Sequence, residues 1–261
     1  MLSMVRAQLF RMVHSRFAIA YAVVLFLVVF TTPLALWLDR VWPAFAALGF
    51  VVVPDEPLPS LRISGVSLLS GSFLTMGVGI AAGYYAAGDF KSGFVKNLVQ
   101  VRGGRLSYAV ALVVCVLVLA VVSTAAGVLI VEGGLRLQGY IPAAPSLGEA
   151  LQWFTQVVLC IAAYAALTVF LAVVFRSDTV AVLGSVLLGG GAVEGVVQMV
   201  LANIPGLPAA LRDCLDGYLA ADLGLLSQGV VCDPMTYVQA GATILVAAAA
   251  CVLVMRRKSL A

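Results

Sequence analysis

The chain has 261 residues, of which 63% are hydrophobic and only 10% are charged, and its mean hydropathy is +1.11. Soluble globular domains carry about 25% charged residues, so this composition excludes an ordinary soluble domain and makes the bilayer the solvent. The formal charge of +3 excludes no class of protein until it is divided between the two sides of a membrane. Hydrophobic stretches of about 20 residues recur, each long enough to cross the hydrocarbon core as a helix. We therefore predict an all-α polytopic protein with a single membrane domain.

The N-terminal region combines a basic segment with a long apolar one. In residues 1–16, apolar side chains recur at helical spacing while Arg6, Arg11 and His14 lie mostly on the other side, which predicts an amphipathic helix on the membrane surface. The apolar run at 17–38 is too long for a cleaved signal peptide, and no small-residue cleavage site follows it. We expect it to remain as the first span.

Five further spans follow. They are predicted at about 62–86, 106–131, 148–175, 179–202 and 235–255. The second is rich in Gly, Ser and Thr, which lets helices approach closely or leaves room for a cavity. The fifth contains Gly189–Gly191, which could break or kink it because glycine has little helix propensity. Between the last two spans, 203–234 alternates acidic and proline residues with short apolar pieces, which predicts an outer loop with half-inserted helices.

The distribution of charge sets the orientation. With both termini inside, eleven of the fifteen Lys and Arg residues lie in cytoplasmic segments, including the segment 87–105 between spans two and three. Of the twelve acidic residues, only Asp89 and Asp178 lie inside, Glu194 lies within a span and nine lie outside. This bias predicts six spans with N-in and C-in topology.

The sequence shows no pairing of a nucleophile with a base and no metal-binding cluster of the kind that an intramembrane enzyme needs. The single histidine, His14, falls before the first span, and no Cys/His cluster suits a metal. No glycine-rich phosphate loop followed by Lys-Ser or Lys-Thr is present, so the chain itself does not bind ATP in the P-loop manner. We predict no catalytic residues, no metal, no cofactor in this chain and no nucleic-acid partner.

The segment 87–105 is the most informative stretch. Phe90, Phe94 and Leu98 recur at helical spacing, which would give a short helix an apolar stripe beside wet basic side chains. A solvated basic loop that obeys the positive-inside rule is the simpler interpretation. However, the spacing Asp-Phe-x-x-Gly-x-x-Lys-Asn, continued to a Gly and an Arg, resembles the cytoplasmic loop of ABC-2 type permeases, especially those of bacitracin and lantibiotic export or immunity. The residues that carry it are Asp89, Phe90, Gly93, Lys96, Asn97, Gly103 and Arg105.

The resemblance covers the whole topology and implies a function. Phe90 to Gln100 would form a coupling helix that docks on a separate ATPase subunit, which binds ATP and Mg²⁺. The implied coupling residues are Asp89, Phe90, Gly93, Phe94, Lys96, Asn97 and Leu98. A second permease copy or a paralogous permease would complete the transporter among the lipids of the bacterial cytoplasmic membrane. Many relatives carry a lysine early in the third span, whereas residues 107–112 contain none.

Polar residues inside the spans are candidates for a translocation cavity. A carboxylate such as Glu194 is costly within a span unless it faces protein or water. It either lines the cavity between spans two and five, as the resemblance implies, or bonds to a neighbouring helix for structural reasons. The cavity candidates are Ser67, Ser70, Thr75, Glu194 and Gln198.

Cys214 and Cys232 share the outer loop, with seventeen residues between them. On an oxidising side of the membrane they are a candidate disulfide, with two free thiols as the alternative.

These patterns predict a permease subunit of an ATP-driven exporter for an antimicrobial peptide, a lipid or a hydrophobic drug. The alternative is a membrane scaffold or sensor that docks a cytoplasmic partner without transport. An intramembrane enzyme is disfavoured by the missing catalytic groups.

Overall fold

The computed structural model of the protein describes residues 2–42, 59–93, 104–204 and 218–257. Within these ranges the chain is built of α-helices. They are α1 (Leu2–Val13), α2 (Arg16–Val41), α3 (Ser60–Leu69), α4 (Phe73–Lys91), α5 (Gly104–Leu137), α6 (Leu147–Phe175), α7 (Asp178–Gly189), α8 (Ala192–Ala202), α9 (Leu219–Ser227) and α10 (Met235–Arg257).

Among the residues that the structure describes, five helical segments are long and apolar enough to cross a membrane, and a bent pair makes up to six. The five are α2, the α3–α4 pair, α5, α6 and α10. The bent pair is α7 and α8, whose axes differ by 58°. The bend lies at Gly190 and Gly191, and Gly191 has a φ of +74°. The break predicted from the triple glycine is thus confirmed.

Helix α6 is the centre of the bundle, and α4, α5, α7 and α10 pack around it. In the most apolar stretch of α6, 72% of the residues are buried inside the protein, whereas in the corresponding stretch of α2 only 11% are buried. Helix α1 packs against α5. The core is therefore organised around the fourth predicted span, and the first lies at the periphery.

Glycines of α4 permit the closest helix contacts. A Cβ atom added at Gly79 would lie 2.3 Å from Ser185 Oγ, and one added at Gly83 would lie 2.9 Å from the Cβ of Ala181. Both glycines face α7, four residues apart on one side of α4. The close approach predicted from the small-residue composition of this span is confirmed.

The second span, predicted as one continuous helix at about 62–86, is interrupted. A 3₁₀ turn at Ser70–Ser72 separates α3 from α4, and Gly71 and Ser72 have φ angles of +65° and +59°. The pair also ends later than predicted, at Lys91 rather than at about residue 86.

Helix α5 extends beyond the predicted third span of 106–131, to Leu137. Glu132, which lies in the loop predicted between the third and fourth spans, is therefore helical. Its carboxylate accepts a hydrogen bond from Ser60, and Arg136 follows it one helical turn later. Gly134 lies against the ring of Pro33 in α2, where a Cβ would come within 2.8 Å. Contacts with α2 and α3 thus hold the last turns of α5, despite two adjacent glycines of low helix propensity.

Helix α9 lies within the stretch predicted as an outer loop and packs against α3 and α6. Gly65 makes this possible, since a Cβ there would lie 2.5 Å from the carbonyl oxygen of Leu226. On the other side, Trp153 Nε1 donates to that same carbonyl at 2.9 Å. Gln156 forms two bonds with the backbone of Cys232, of 2.7 and 3.0 Å. Hydrogen bonds from Trp153 and Gln156 of α6 therefore hold α9 and the segment that follows it in place.

Candidate functional site

The strongest candidate is a polar junction around Asp89, near the C-terminal end of α4. Asp89 is completely buried, and an ionised carboxylate is tolerated in such a place only when opposite charge and hydrogen-bond donors surround it. Its position follows from the sequence, because α4 continues beyond the apolar part of the span until Lys91 and the turn at Gly93.

Side chains from α1 and α5 provide the partners of Asp89. Arg11 places a guanidinium nitrogen 2.9 Å from Oδ1. Gln8 donates from Nε2 to Oδ2 at 2.8 Å, and the hydroxyl of Tyr108 donates to the same oxygen at 3.1 Å. Gln8 and Arg11 are three residues apart and share one face of α1. The carboxylate therefore connects three helices at one point.

Aromatic side chains surround this carboxylate. The hydroxyl of Tyr85 donates to the backbone carbonyl of Gln8 at 3.1 Å, and the guanidinium of Arg11 lies 5.7 Å from the centre of the Tyr85 ring. Phe90 meets Tyr108 edge to face at 6.3 Å between ring centres. These contacts exclude water from one side of the ion pair and strengthen it.

The turn between α6 and α7 is attached to the same region. The guanidinium of Arg176 lies 5.8 Å from the ring centre of Phe90, and Lys91 pairs with Asp178. We call the end of the bundle that holds these groups the basic end. At this end α1, α4, α5 and the α6–α7 turn contact one another. A displacement of residues 91–93 would therefore change the contacts of all four elements.

The structure describes only part of the predicted coupling segment. Asp89 and Phe90 belong to the last turns of α4, and Gly93 ends that helix with a φ of +70°. Asp89 is buried and paired, so it does not itself present a docking surface. The other predicted coupling residues lie outside the described residues, and their role remains a prediction. They are Phe94, Lys96, Asn97 and Leu98.

Glu194, at the start of α8, forms a second polar centre. The hydroxyl of Tyr164 donates to Oε2 at 2.6 Å, and the backbone N–H of Ala220, in the first turn of α9, donates to Oε1 at 3.3 Å. Tyr164 is seventeen residues from the start and eleven from the end of α6, about 26 and 16 Å along its axis. Glu194 is therefore partly buried, well inside the length of α6, and its carboxylate bonds to two neighbouring helices. These bonds fit the structural alternative, and a role in a translocation cavity remains a prediction.

The other predicted cavity residues have different surroundings, and their role in a cavity remains a prediction. Ser67 donates to the carbonyl of Ile63 at 2.6 Å and lines an apolar cleft beside α2. Thr75 is buried in α4, while Ser70 is exposed in the 3₁₀ turn. Gln198 is partly buried on α8, one turn after Glu194.

Cys232 is a free, buried thiol whose Sγ lies 3.5 Å from the carbonyl oxygen of Asp222. Its predicted disulfide partner, Cys214, lies outside the described residues. Among the residues that the structure describes, no three His, Cys, Asp or Glu side chains are grouped to hold a metal ion.

Sequence reasoning missed Gln8, Tyr108 and Tyr164. Gln8 carried a usable signal, because it lies three residues after Val5 and four before Met12 and so interrupts the apolar face of α1. A polar side chain on an apolar face predicts a buried partner. The two tyrosines carried no comparable signal, since tyrosine is common in apolar spans.

No protein-family model matches this chain, and no curated protein matches it. The resemblance to ABC-2 permeases accordingly rests on the segment 87–105 and the order of the spans.

Proposed function

We propose that this chain is the permease subunit of an ATP-driven ABC-2 type exporter in the bacterial cytoplasmic membrane. It would cross the membrane six times, with the bent α7–α8 pair as the fifth span, and both termini would face the cytoplasm. The basic end would then be cytoplasmic, in agreement with the positive-inside rule, because more basic residues lie at that end than at the other. Those at the basic end include Arg6, Arg11, Arg16, Lys91 and Arg176, against Arg40, Arg62 and Arg136 at the opposite end.

The Asp89 junction is the observation that carries the proposal. A permease driven by a separate ATPase needs a cytoplasmic contact that passes movement into its membrane helices. Residues 94–103 follow directly after α4, whose end is tied to α1 and α5 through Asp89. A force on that segment would therefore reach a surface helix and two spans through one buried ion pair.

The chain would act with a cytoplasmic ATPase that binds ATP and Mg²⁺, and with a second permease, either another copy or a paralogue. Closure of two ATPases on ATP would pull on α1 and on the segment 87–105, which we call the elbow. The spans would then rock and open a path between the permeases. An antimicrobial peptide, a lipid and a hydrophobic drug are the proposed classes of cargo.

Co-purification from the native membrane, followed by ATPase assay of the recovered complex, tests this function. We expect an ATP-binding subunit to be recovered, and Phe94→Ala or Lys96→Ala to reduce its recovery. Lys258→Ala is the matched control, because it removes another basic residue of the same predicted side. Transport by the purified chain alone, without an ATPase, would contradict the proposal, and recruitment without any transport would favour the scaffold alternative.

A further inference from the structure

A cavity of about 970 Å³ lies at the end of the bundle opposite the basic end. It is formed by the first turns of α3 and α6, the last turns of α5 and the connection between α5 and α6. Its volume is in the range of about 300–1,000 Å³ that small-molecule sites occupy.

Among the described residues that line the cavity, Glu132 is the carboxylate, and it has an incomplete set of partners. Glu132 Oε1 accepts a hydrogen bond from Ser60, whereas Oε2 lies 3.9 Å from Arg136 Nε, which is too long for a hydrogen bond. The side chain of Glu132 is 18% exposed and that of Arg136 is 77% exposed. The carboxylate therefore lies inside, its own counter-ion extends into solvent, and Oε2 can accept a stronger donor.

A second polar group in the same cavity also lacks a partner. Ser64 lines the cavity and is 1% exposed, and its Oγ forms no hydrogen bond with the residues that the structure describes. A buried hydroxyl without a partner costs free energy, which a ligand with hydrogen-bond donors would recover.

Most of the other described residues in the lining are apolar. Leu129, Ile141 and Leu147 are 71, 83 and 78% exposed, and they share the cavity with Glu132. The rim is fixed by a bond of 3.0 Å from the backbone N–H of Ser60 to the carbonyl of Ala143. Together, the Glu132 carboxylate and the large apolar walls in the described lining suit a molecule that has a cationic head and an alkyl body.

We propose that this cavity binds a cationic amphiphile, an alkyl chain with a primary ammonium or guanidinium group. The cationic head donates to Glu132 and Ser64, and the chain lies along Leu129 and Leu151. The site uses neither the elbow nor ATP, so its test is separate from that of the proposed function.

Trp153 lines the cavity and provides the measurement. In a Trp37→Phe/Trp42→Phe background it is the single tryptophan of the chain. The protein is placed in phosphatidylcholine nanodiscs and titrated with bromododecylammonium or with neutral bromododecanol, whose bromine quenches tryptophan on contact.

We expect half-quenching by the cationic probe at a concentration about tenfold lower than by the neutral probe, since a hydrogen bond to a charged group is worth roughly that factor or more. Glu132→Gln should bring the two probes within about twofold of each other and leave the neutral probe unchanged, which also shows that the variant is folded. Arg136→Gln is the matched control, because it removes the internal competitor and should strengthen binding of the cationic probe.

Equal quenching by both probes in the parent protein would overturn the proposal, as would an unchanged preference in Glu132→Gln. Nanodiscs that contain phosphatidylethanolamine identify the source of the head group. Competition by that lipid assigns the site to a lipid ammonium, and lack of competition assigns it to a free amphiphile; both outcomes retain the same chemistry.

Discussion

The ion pair between Arg11 and Asp89 is the contact whose loss should most weaken the basic end. Arg11→Met keeps much of the apolar stem but leaves the buried carboxylate with only the hydrogen bonds from Gln8 and Tyr108. Removal of one partner of a buried pair typically costs about 3–5 kcal/mol. Because the side chain of Arg11 is 36% exposed, we expect the lower end, about 3 kcal/mol.

A double-mutant cycle separates this charge effect from lost packing. Asp89→Asn keeps the size of the side chain and should cost only about 1 kcal/mol, and it should rescue Arg11→Met by at least about 1 kcal/mol because no buried charge is then left alone. Unfolding in mixed micelles, followed by helical circular dichroism, gives the free energies, and hydrogen exchange of the α1 amides shows whether α1 detaches.

Arg6→Met is the control on the same helix, since Arg6 is exposed, and it should change stability by less than about 0.5 kcal/mol. If the double variant is as unstable as the sum of the two single variants, the carboxylate at Asp89 does not depend on Arg11 and the reasoning fails.

Three further predictions concern the helix packing, the second polar centre at Glu194 and the Cys232 thiol. Gly79→Ala should destabilise the fold by about 1–3 kcal/mol through overpacking, whereas Gly88→Ala, whose Cβ would meet nothing within 4 Å, should be neutral or stabilising; equal effects would contradict the close packing of α4. Tyr164→Phe should cost about 1–3 kcal/mol because it removes the donor to Glu194, and an unchanged midpoint of unfolding would refute this role. Burial, and next a neighbouring carboxylate, raise the pKa of the Cys232 thiol to about 11, so iodoacetamide at pH 8 should modify it about two orders of magnitude more slowly than an ordinary thiol, with a tenfold rise per pH unit. Rapid labelling at pH 8 would show that the thiol is not buried.

Hydrophobic length and glycine content predicted the outline of the fold because these are local properties of the sequence. The fourth predicted span, 148–175, agrees within one residue with α6, Leu147–Phe175. The break at the triple glycine was likewise visible in the sequence. The errors lie where tertiary contacts override local preference, as at Glu132 and Gly134, which are helical because α2 and α3 pack against them.

The candidate site was predictable only in part, since its partners are distant in sequence. Asp89 was singled out by its motif, but Gln8 is 81 residues away, and no local pattern pairs the two. The charge distribution predicted that Asp89 lies on the cytoplasmic side, but not that α4 continues far enough to bury it. Glu194 was singled out because a carboxylate is costly within a span. Its hydrogen bonds to Tyr164 and to α9 were not predicted.

The uneven packing of the bundle indicates which element a force on the junction would move. Helix α2 follows α1 after the short turn capped by Ser15, and apolar clefts of about 550 and 370 Å³ lie along it. Tyr21 and Ser123 join α2 to α5 by a hydrogen bond of 2.8 Å, and Pro33 and Arg40 of α2 bond to Gln138 at 2.9 and 3.2 Å. Helix α6, in contrast, is held by buried helices on several sides. Sideways movement of α2 would therefore break fewer contacts than movement of α6, which would disrupt the core. In the proposed permease, a force on Asp89 would pass through Arg11 and α1 to α2. Movement of the peripheral helix α2, rather than of the central helix α6, would then open the path.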